Sequence, residues 1–408
     1  MSAIAVFNGS YCNETAIVQE IMIATGFEML DDAAVAAEAS RLADMPSSKI
    51  ERAFTAKPSV FNKFTHERER SVAYLKLALA QRLASDRLLV WGFVSHFIPR
   101  NIHHVLRVCL IAEVRSRAAR AAQAGSLPEG DARHLVRRQD EERAAWVLAQ
   151  TGQPDPWAPG LYDMLLPTDK QPTAEIARLV AESIKKDNLR PTPESRQAVQ
   201  DFLLAATVEV ALAREGHHVG VCAADGTVTL SINKHVLMLQ RLENELKAVA
   251  ERVPGVRAVC TAVGPDFYQS DVYRKFDFEM PTKILLVDDE REFVQTLSER
   301  LLMRDLGSAV AFDGESALDV VRDDEPEVMI LDLRMPGIDG IEVLRRVKSD
   351  RPEIEVIILT GHGSESDRET CMGLGAFAYL QKPVDIDELS ATIKHANEKI
   401  RQRRSDRA

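Results

Sequence analysis

From Lys283 to Arg403, short apolar runs alternate strictly with stretches of helical spacing, and this alternation constrains the fold more than any other feature of the chain. KILLVDDE (283–290), SAVAF (308–312), VMILDL (328–333), EVIILTG (355–361) and AFAYLQKP (376–383) read as strands. Helical spacing falls near 291–304, in DGESALDVVRDD, and near 341–349, 366–373 and 386–403. Runs that are apolar throughout predict strands buried on both faces. Strict alternation with helices predicts a parallel sheet with right-handed crossovers. The carboxyl ends of such strands converge on one edge, which is where ligands bind.

That edge collects a particular set of polar residues. Strand one ends in Asp288 and Asp289, strand three reaches Asp332, strand four ends at Thr360, and strand five ends at Lys382 before Pro383. Carboxylates brought together from different strands repel one another unless a divalent cation joins them, and all-oxygen ligation suits Mg²⁺. A hydroxyl and an ammonium close by would stabilise anionic oxygens carried on one of the carboxylates. The arrangement suits a carboxylate that accepts a phosphoryl group. Any one of these residues is equally an ordinary polar strand end; their conjunction points to chemistry.

The segment from Lys283 to about Glu398 resembles the receiver domain of bacterial two-component response regulators. DD at 288–289, DLRMPGIDG at 332–340, Thr360 and KP at 382–383 stand in the order of that family. The resemblance implies a flavodoxin-like five-stranded parallel sheet of order 2-1-3-4-5. It implies Asp332 as phosphoacceptor, with Asp288, Asp289, Asp332 and the backbone carbonyl of Arg334 as ligands for Mg²⁺. Lys382 would be the partner of the phosphoryl group, Thr360 the switch hydroxyl and Tyr379 the switch aromatic. The implied partner is a sensor histidine kinase or a phosphotransfer protein.

The amino-terminal part reads as a second α/β unit. AIAVFNGS (3–10) predicts a buried strand entering a turn, and a helix follows with Ile17 and Ile21 inward. Strand, Gly-containing loop and helix is the context in which backbone N–H groups cradle phosphate. A working loop needs GxxxxGK[ST], however, and this one reads GSYCNETA. Downstream, RLLVWGFVSHF (87–97) predicts a helix end and an apolar strand. HHVLRVCLIAEVRSRAARAA (103–122) predicts a strand and an arginine-studded helix; HLVRRQDEERAAW (134–146), GLYDMLLPTD (160–169) and TAEIARLVAESIKK (173–186) follow.

This order resembles the cytidylate-kinase-like branch of the P-loop nucleoside monophosphate kinases over about 1–187. The resemblance implies a residual nucleotide or phosphate site around Gly9, with Arg115 and Arg117 on the arginine-bearing helix and Arg137, Arg138 and Arg143 in the lid. The departures bear on activity. Asn13, Glu14 and Thr15 stand where glycine, lysine and hydroxyl would lie, and the family's Gly-Arg after the central strand is Gly92-Phe93. Stabilising transition-state charge is the main work of phosphoryl transfer, so these losses predict a kinase fold kept for binding or signalling. The lid arginines equally suit an exposed helix laced with pairs to Asp140, Glu141 and Glu142.

Between these units, residues 193–264 predict an α-β-β-α-β module. A helix (196–215) leads into HHVGVCAADGTVTLSIN, which alternates across a DG turn, and a second helix (236–253) precedes VPGVRAVCTAVG. The order resembles a small α+β BON domain, which implies contact with a protein or a membrane surface. His217 and His218 have no further ligands at metal-binding spacing. KKDNLRPTP (185–193) and the polar, aromatic stretch 265–281 read as connectors, giving domains of 1–187, 193–264 and 282–400.

Composition narrows the classes further. The 408 residues carry a formal charge of −11, and the part from Thr282 onward holds 18 Lys and Arg against 27 Asp and Glu. Bulk charge therefore gives no support for nucleic-acid binding, for which the arginines of 115–120 and the basic tail from Ile400 are the only support. Five scattered cysteines make no CxxC pair and fit a reducing compartment. No secretory leader or membrane-spanning run is legible, and the expected location is the cytoplasm. The reading is a phosphorelay response regulator with its receiver last, acting on kinase-like and BON-like modules. The alternative is an active, receiver-gated nucleotide kinase. A nucleotide and a second copy of the chain complete the expected partners.

Overall fold

The computed structural model describes residues 2–55, 59–85, 87–233, 236, 239–264, 267, 283–304, 306–361 and 363–405. The connector read at 265–281 lies outside the described residues except for Phe267, as does the end of the basic tail. Two compact units are formed. One contains residues 2–55 and 68–267, the other Ser59–Glu67 with 283–405. Among the described residues, no helix is long and apolar enough to cross a membrane.

The first unit is built on β1 (Ala3–Asn8), β2 (Glu28–Asp31), β3 (Leu88–Trp91), β4 (Val105–Ile111) and β5 (Met164–Pro167). They form a parallel sheet in the order β2-β3-β1-β4-β5. Strand side chains alternate between faces. Ile4 and Val6 pack with Ile17 and Ile21 of the helix Glu14–Thr25 and with Ile176 and Val180 of the helix Thr173–Ser183. Ala3, Ala5 and Phe7 face the other way, into a larger cluster with the helices Asp32–Ala43 and Glu67–Leu83 and with Trp146.

The helix Pro193–Arg214 belongs to two cores. Ala198, Val199, Phe202, Ala206 and Val210 join that larger cluster, while Val208 and Leu212 face a smaller sheet. Its start is fixed by Thr192 and Ser195, which cap each other's backbone N–H with Pro193 in the first turn. The smaller sheet holds β6 (Gly220–Ala224), β7 (Thr227–Ile232) and β8 (Ala258–Val263), with β6 and β7 antiparallel and β8 parallel to β7. The helix Leu239–Ala250 completes the α-β-β-α-β order.

In the second unit β9 (Ile284–Val287), β10 (Ser308–Ala311), β11 (Val328–Leu331), β12 (Glu355–Thr360) and β13 (Ala378–Gln381) form a parallel sheet. The order is β10-β9-β11-β12-β13, which is the 2-1-3-4-5 order expected. Leu285, Val287, Met329 and Leu331 face the helices Gly314–Asp324 and Gly340–Asp350, and Phe61 is fully buried in the same cluster. Ile284, Leu286, Val328 and Ile330 face the helices Arg291–Leu302 and Ile386–Ser405. Asp313, Asp339 and Ser364 each accept a backbone N–H three residues on, which fixes three helix starts.

The expected strand through 87–97 ends early. Gly92 has φ of 111°, turning the chain after Trp91 into a 3₁₀ turn, Phe93–Phe97. The Asp32 carboxylate fits beneath that turn and accepts the N–H groups of Phe93 and Val94, both at 2.9 Å. A Cβ on residue 92 would fall 2.2 Å from this carboxylate. Burial outweighs the two hydrogen bonds and pushes the Asp32 carboxyl up to about 6. The native state therefore holds this proton more tightly than the unfolded chain, so the Asp32 contribution to stability is present at low pH and lost as pH rises from about 4 to about 6. The span amounts to about 3 kcal/mol at most. Urea unfolding followed by tryptophan emission reports on this unit alone, since Trp91, Trp146 and Trp157 all lie in it. Asp32→Asn is expected to flatten the stability profile over this window; an unchanged slope would contradict the assignment.

Candidate functional site

At the carboxyl edge of the second unit's sheet, β9 runs into Asp288 and Asp289 and β11 into Asp332. Asp288 and Asp332 are buried and Asp289 is exposed, yet their carboxylate oxygens lie within 4.8 Å of one another. Lys382, just beyond β13, donates from Nζ to Asp288 Oδ2 at 2.6 Å and to Asp332 Oδ2 at 3.3 Å. Glu290 Oε1 lies 3.4 Å from the same nitrogen, which also sits 4.4 Å from the centre of the Phe293 ring. Asp332 Oδ1 accepts the N–H of Leu333 at 2.7 Å. The loop is held close by Gly340, where a Cβ would fall 2.1 Å from the Asp332 carbonyl oxygen.

The electrostatics follow from this packing. Burial raises the Asp288 carboxyl above its usual range, against the hydrogen bond from Lys382. Burial also opposes the Lys382 charge, but its hydrogen bonds and attraction to Asp288 and Asp332 outweigh that and hold it above the ordinary lysine value. Three hard carboxylates, one open to water, are a donor set suited to a hydrated divalent cation of the Mg²⁺ kind. The backbone of Arg334 lies in the same loop; its side chain points to the surface, with the guanidinium 3.9 Å from Asp367.

Thr360 closes β12 and is fully buried, and its carbonyl accepts the Lys382 N–H at 2.9 Å. Tyr379 reaches the same end of the sheet. A Cβ at Gly363 would lie 1.7 Å from Tyr379 Oη and 3.0 Å from Thr360 Cγ2, so the missing side chain lets the phenol lie beside the threonine. The Tyr379 hydroxyl is buried and has no hydrogen-bond partner among the described residues. All five residues read from strand ends, with Tyr379, are thus gathered on one edge. Glu290 and Phe293, which also meet Lys382, were not singled out by strand-end reasoning because they lie past the strand, at the entrance to the next helix.

The corresponding edge of the first unit is arranged with the opposite polarity. The loop after β1 turns its carbonyls toward arginines. Arg143 Nε donates to Asn8 O at 2.7 Å, Arg117 Nε to Ser10 O at 2.7 Å, and Arg120 Nη1 to Tyr11 O at 3.2 Å. Arg117 is almost wholly buried and its two terminal nitrogens bind Asp140 at 2.5 and 2.9 Å. A Cβ at Gly9 would meet Ile111 at 2.8 Å and the Arg117 guanidinium carbon at 3.0 Å, so this glycine makes room for the arginine. Arg117 and Arg143 thus lie at the segment around Gly9, whereas the side chains of Arg115, Arg137 and Arg138 are exposed. Asp140 was read only as a surface pair. Its inward face was legible in the spacing of Ala132, Val136, Asp140, Arg143 and Val147, all on one side of the helix Glu129–Thr151.

Comparison with known proteins agrees with both halves. Residues 284–394 match the response regulator receiver domain, and residues 3–170 match the cytidylate kinase-like family. Response regulator MprA of Mycolicibacterium vanbaalenii is 36% identical over 115 residues, which is 28% of this chain and 50% of that protein. The MprA protein of Mycobacterium avium is 36% identical over 112 residues, 28% of this chain and 49% of that protein. The chain thus spans about half the length of the curated relatives it matches. Among solved structures, a receiver domain protein from Clostridium thermocellum is 34% identical, covering 29% of this chain and 97% of that one with a TM-score of 0.29. The receiver domain of NtrX from Brucella abortus is 31% identical, covering 28% and 98% with a TM-score of 0.27. The chain thus carries a receiver domain at 284–394, preceded in sequence by a cytidylate-kinase-like match at 3–170.

Removing one member of a buried ion pair leaves an uncompensated charge. Asp140→Ala is accordingly expected to destabilise the first unit by about 3 kcal/mol, read as a lower urea midpoint in tryptophan emission. A midpoint within error of wild type would show that Arg117 does not depend on this partner.

Proposed function

We propose that this chain is a response regulator whose receiver takes a phosphoryl group on Asp332 and passes the change to its amino-terminal modules. The observation that carries this reading is the carboxylate cluster of Asp288, Asp289 and Asp332, bridged at its buried end by Lys382. Asp288, Asp289, Asp332 and the Arg334 carbonyl would hold Mg²⁺, which supplies positive charge against the incoming phosphoryl oxygens. The Asp332 carboxylate is the nucleophile; its new O–P bond replaces the P–N bond of the donor phosphohistidine. Lys382 stands ready to pair with the transferred group, and Thr360 to donate its hydroxyl.

The product carries about −1.5 to −2 charges where a single carboxylate stood, by analogy with other phosphorylated side chains. Lys382 would then divide its charge differently between Asp288 and the modified Asp332. Thr360 would move toward the phosphoryl oxygens, and Tyr379, packed beside it, would follow. The exposed face carrying Tyr379 is the surface that changes. Asp332→Asn is expected to abolish Mg²⁺-dependent labelling by acetyl phosphate, followed by intact-protein mass or phosphate-affinity mobility. Undiminished labelling would sink the assignment.

For the first unit we propose a binding role without phosphoryl transfer. The support is the set of arginine hydrogen bonds to Asn8, Ser10 and Tyr11, which turn donors of Arg117, Arg120 and Arg143 to the protein's own backbone, together with the absent loop lysine. The exposed face of the β6-β7-β8 sheet, with Cys222, Ala224, Thr227 and Ala258, supports a contact surface for a protein or membrane. Lys399 and Arg403 of the last helix pair with the buried Glu355 at 3.0 and 2.7 Å, so part of the tail's charge is already neutralised; this weighs against nucleic acid. Calorimetric titration of the full chain with ATP and CMP in Mg²⁺ is expected to give no saturation below about 1 mM, and a coupled assay no ADP release. ADP release that falls in Arg138→Ala or Arg143→Ala would instead establish a receiver-gated kinase.

A further inference from the structure

The first unit contains a cavity of about 340 Å³ whose wall includes Phe7 of β1, His96 and Phe97 of the 3₁₀ turn, Arg100, Arg107 of β4, and Tyr162 ahead of β5. No Asp or Glu is among the described residues that line it. Its position separates it from the loop after β1. Arg107 comes early in β4 and Tyr162 precedes β5, whereas Gly9 follows the carboxyl end of β1.

The two guanidinium groups are anchored by neutral oxygens. Arg100 Nη2 donates to Gly160 O at 2.7 Å, and Arg107 donates to Pro99 O at 2.7 Å and Val105 O at 3.3 Å. Carbonyls fix the orientation of the forks without neutralising them. Asp163, outside the wall, accepts the backbone N–H of Arg107 at 2.7 Å, is itself exposed, and offsets part of the Arg107 charge. The two guanidinium groups act on each other and on His96. Burial and then Arg100 push Arg107 down to about 10, and burial with Arg100 and Arg107 pushes His96 down to about 4, so the imidazole is neutral at pH 7.

Aromatic rings form another part of the wall. His96 meets the Phe7 ring edge-to-face at 4.4 Å between centroids and the Tyr162 ring at 6.1 Å. Its Nε2 lies 3.3 Å from Tyr162 Oη, which donates to Pro156 O at 2.6 Å. Two fixed forks in a wall that holds no acid favour a carboxylate, which matches guanidinium geometry in a way that a neutral ligand does not. The rings of Phe7, His96 and Tyr162 in the wall favour a flat apolar body. The volume falls in the range of small-molecule sites.

We propose that this cavity binds a small aromatic carboxylate, its anionic end on Arg100 and Arg107 and its ring against Phe7, His96 and Tyr162. The site is independent of the phosphoryl chemistry assigned to the receiver. Calorimetry on the full chain at pH 7 with benzoate tests it, with benzamide as the uncharged counterpart and inorganic phosphate as the ringless anion. Benzoate is expected to saturate one site per chain. Arg100→Gln, at an exposed position, and Arg107→Gln are each expected to weaken it by about tenfold or more. Should Arg107→Gln fail to fold, judged by circular dichroism, the Arg100→Gln and benzamide comparisons still decide. Absence of saturation by about 10 mM overturns the proposal, as does benzoate affinity unchanged in the folded variants. Benzamide or phosphate binding as tightly as benzoate overturns the ligand class.

Discussion

The second unit depends on a repulsion and its answer. A parallel sheet of order β10-β9-β11-β12-β13 brings the ends of β9 and β11 side by side, and both end in aspartate. Two buried carboxylates so close cannot both remain charged without a counter-charge. Lys382 supplies it from the end of β13, reaching across the top of the sheet to Asp288 and Asp332. Much of the local architecture serves that reach. Gly340 brings the helix after Asp332 tight against the loop, and the Lys382 backbone is tied to Thr360. The geometry of the site and the topology of the sheet are therefore one constraint.

How much of this was legible depends on the distance over which each feature is determined. β9, β11 and β12 are unbroken apolar runs because both faces are covered, and such runs announce themselves in sequence. Their carboxyl ends then name Asp288, Asp332 and Thr360 with no further information. β2 was invisible. EMLD is four residues long with only Leu30 buried, and nothing in it alternates. The early end of β3 was also missed, because Gly92 acts through a positive φ that composition does not reveal. Phe61 is harder still: its burial beside Val321 and Val343 joins residues far apart in the chain, and no local pattern records it.

The arginines of the first unit show a subtler limit. Spacing identified an arginine-rich helix and lid, which is chemistry suited to phosphate. What spacing cannot tell is whether those donors face a ligand or the protein's own backbone. Here the deciding facts are the direction of three loop carbonyls and a carboxylate on a distant helix. Asp140 lay on an inward-facing stripe and was recoverable in principle. The loop also carries positive φ at Tyr11 and Asn13, which are not glycines, so composition does not reveal its path.

The two sheets end in charge arrangements of opposite sign, and their energetics differ accordingly. In the receiver the counter-charge is a flexible ammonium shared between acids, so new negative charge on Asp332 finds a cation already in place and needs little rebuilding. In the first unit each hydrogen bond from a charged guanidinium to a carbonyl is worth about 1.5–3 kcal/mol, and Arg117 is in addition locked to Asp140. A phosphate arriving at Gly9 would have to break several of these at once and leave Asp140 without its partner. Its own contacts would be offset by what it displaced. At the kinase-like edge Arg117 has its own carboxylate partner, whereas at the receiver edge one ammonium is shared between two acids. Under the proposed phosphorylation of Asp332, the added charge would meet Lys382 directly, while Arg117 would keep its counter-charge in Asp140.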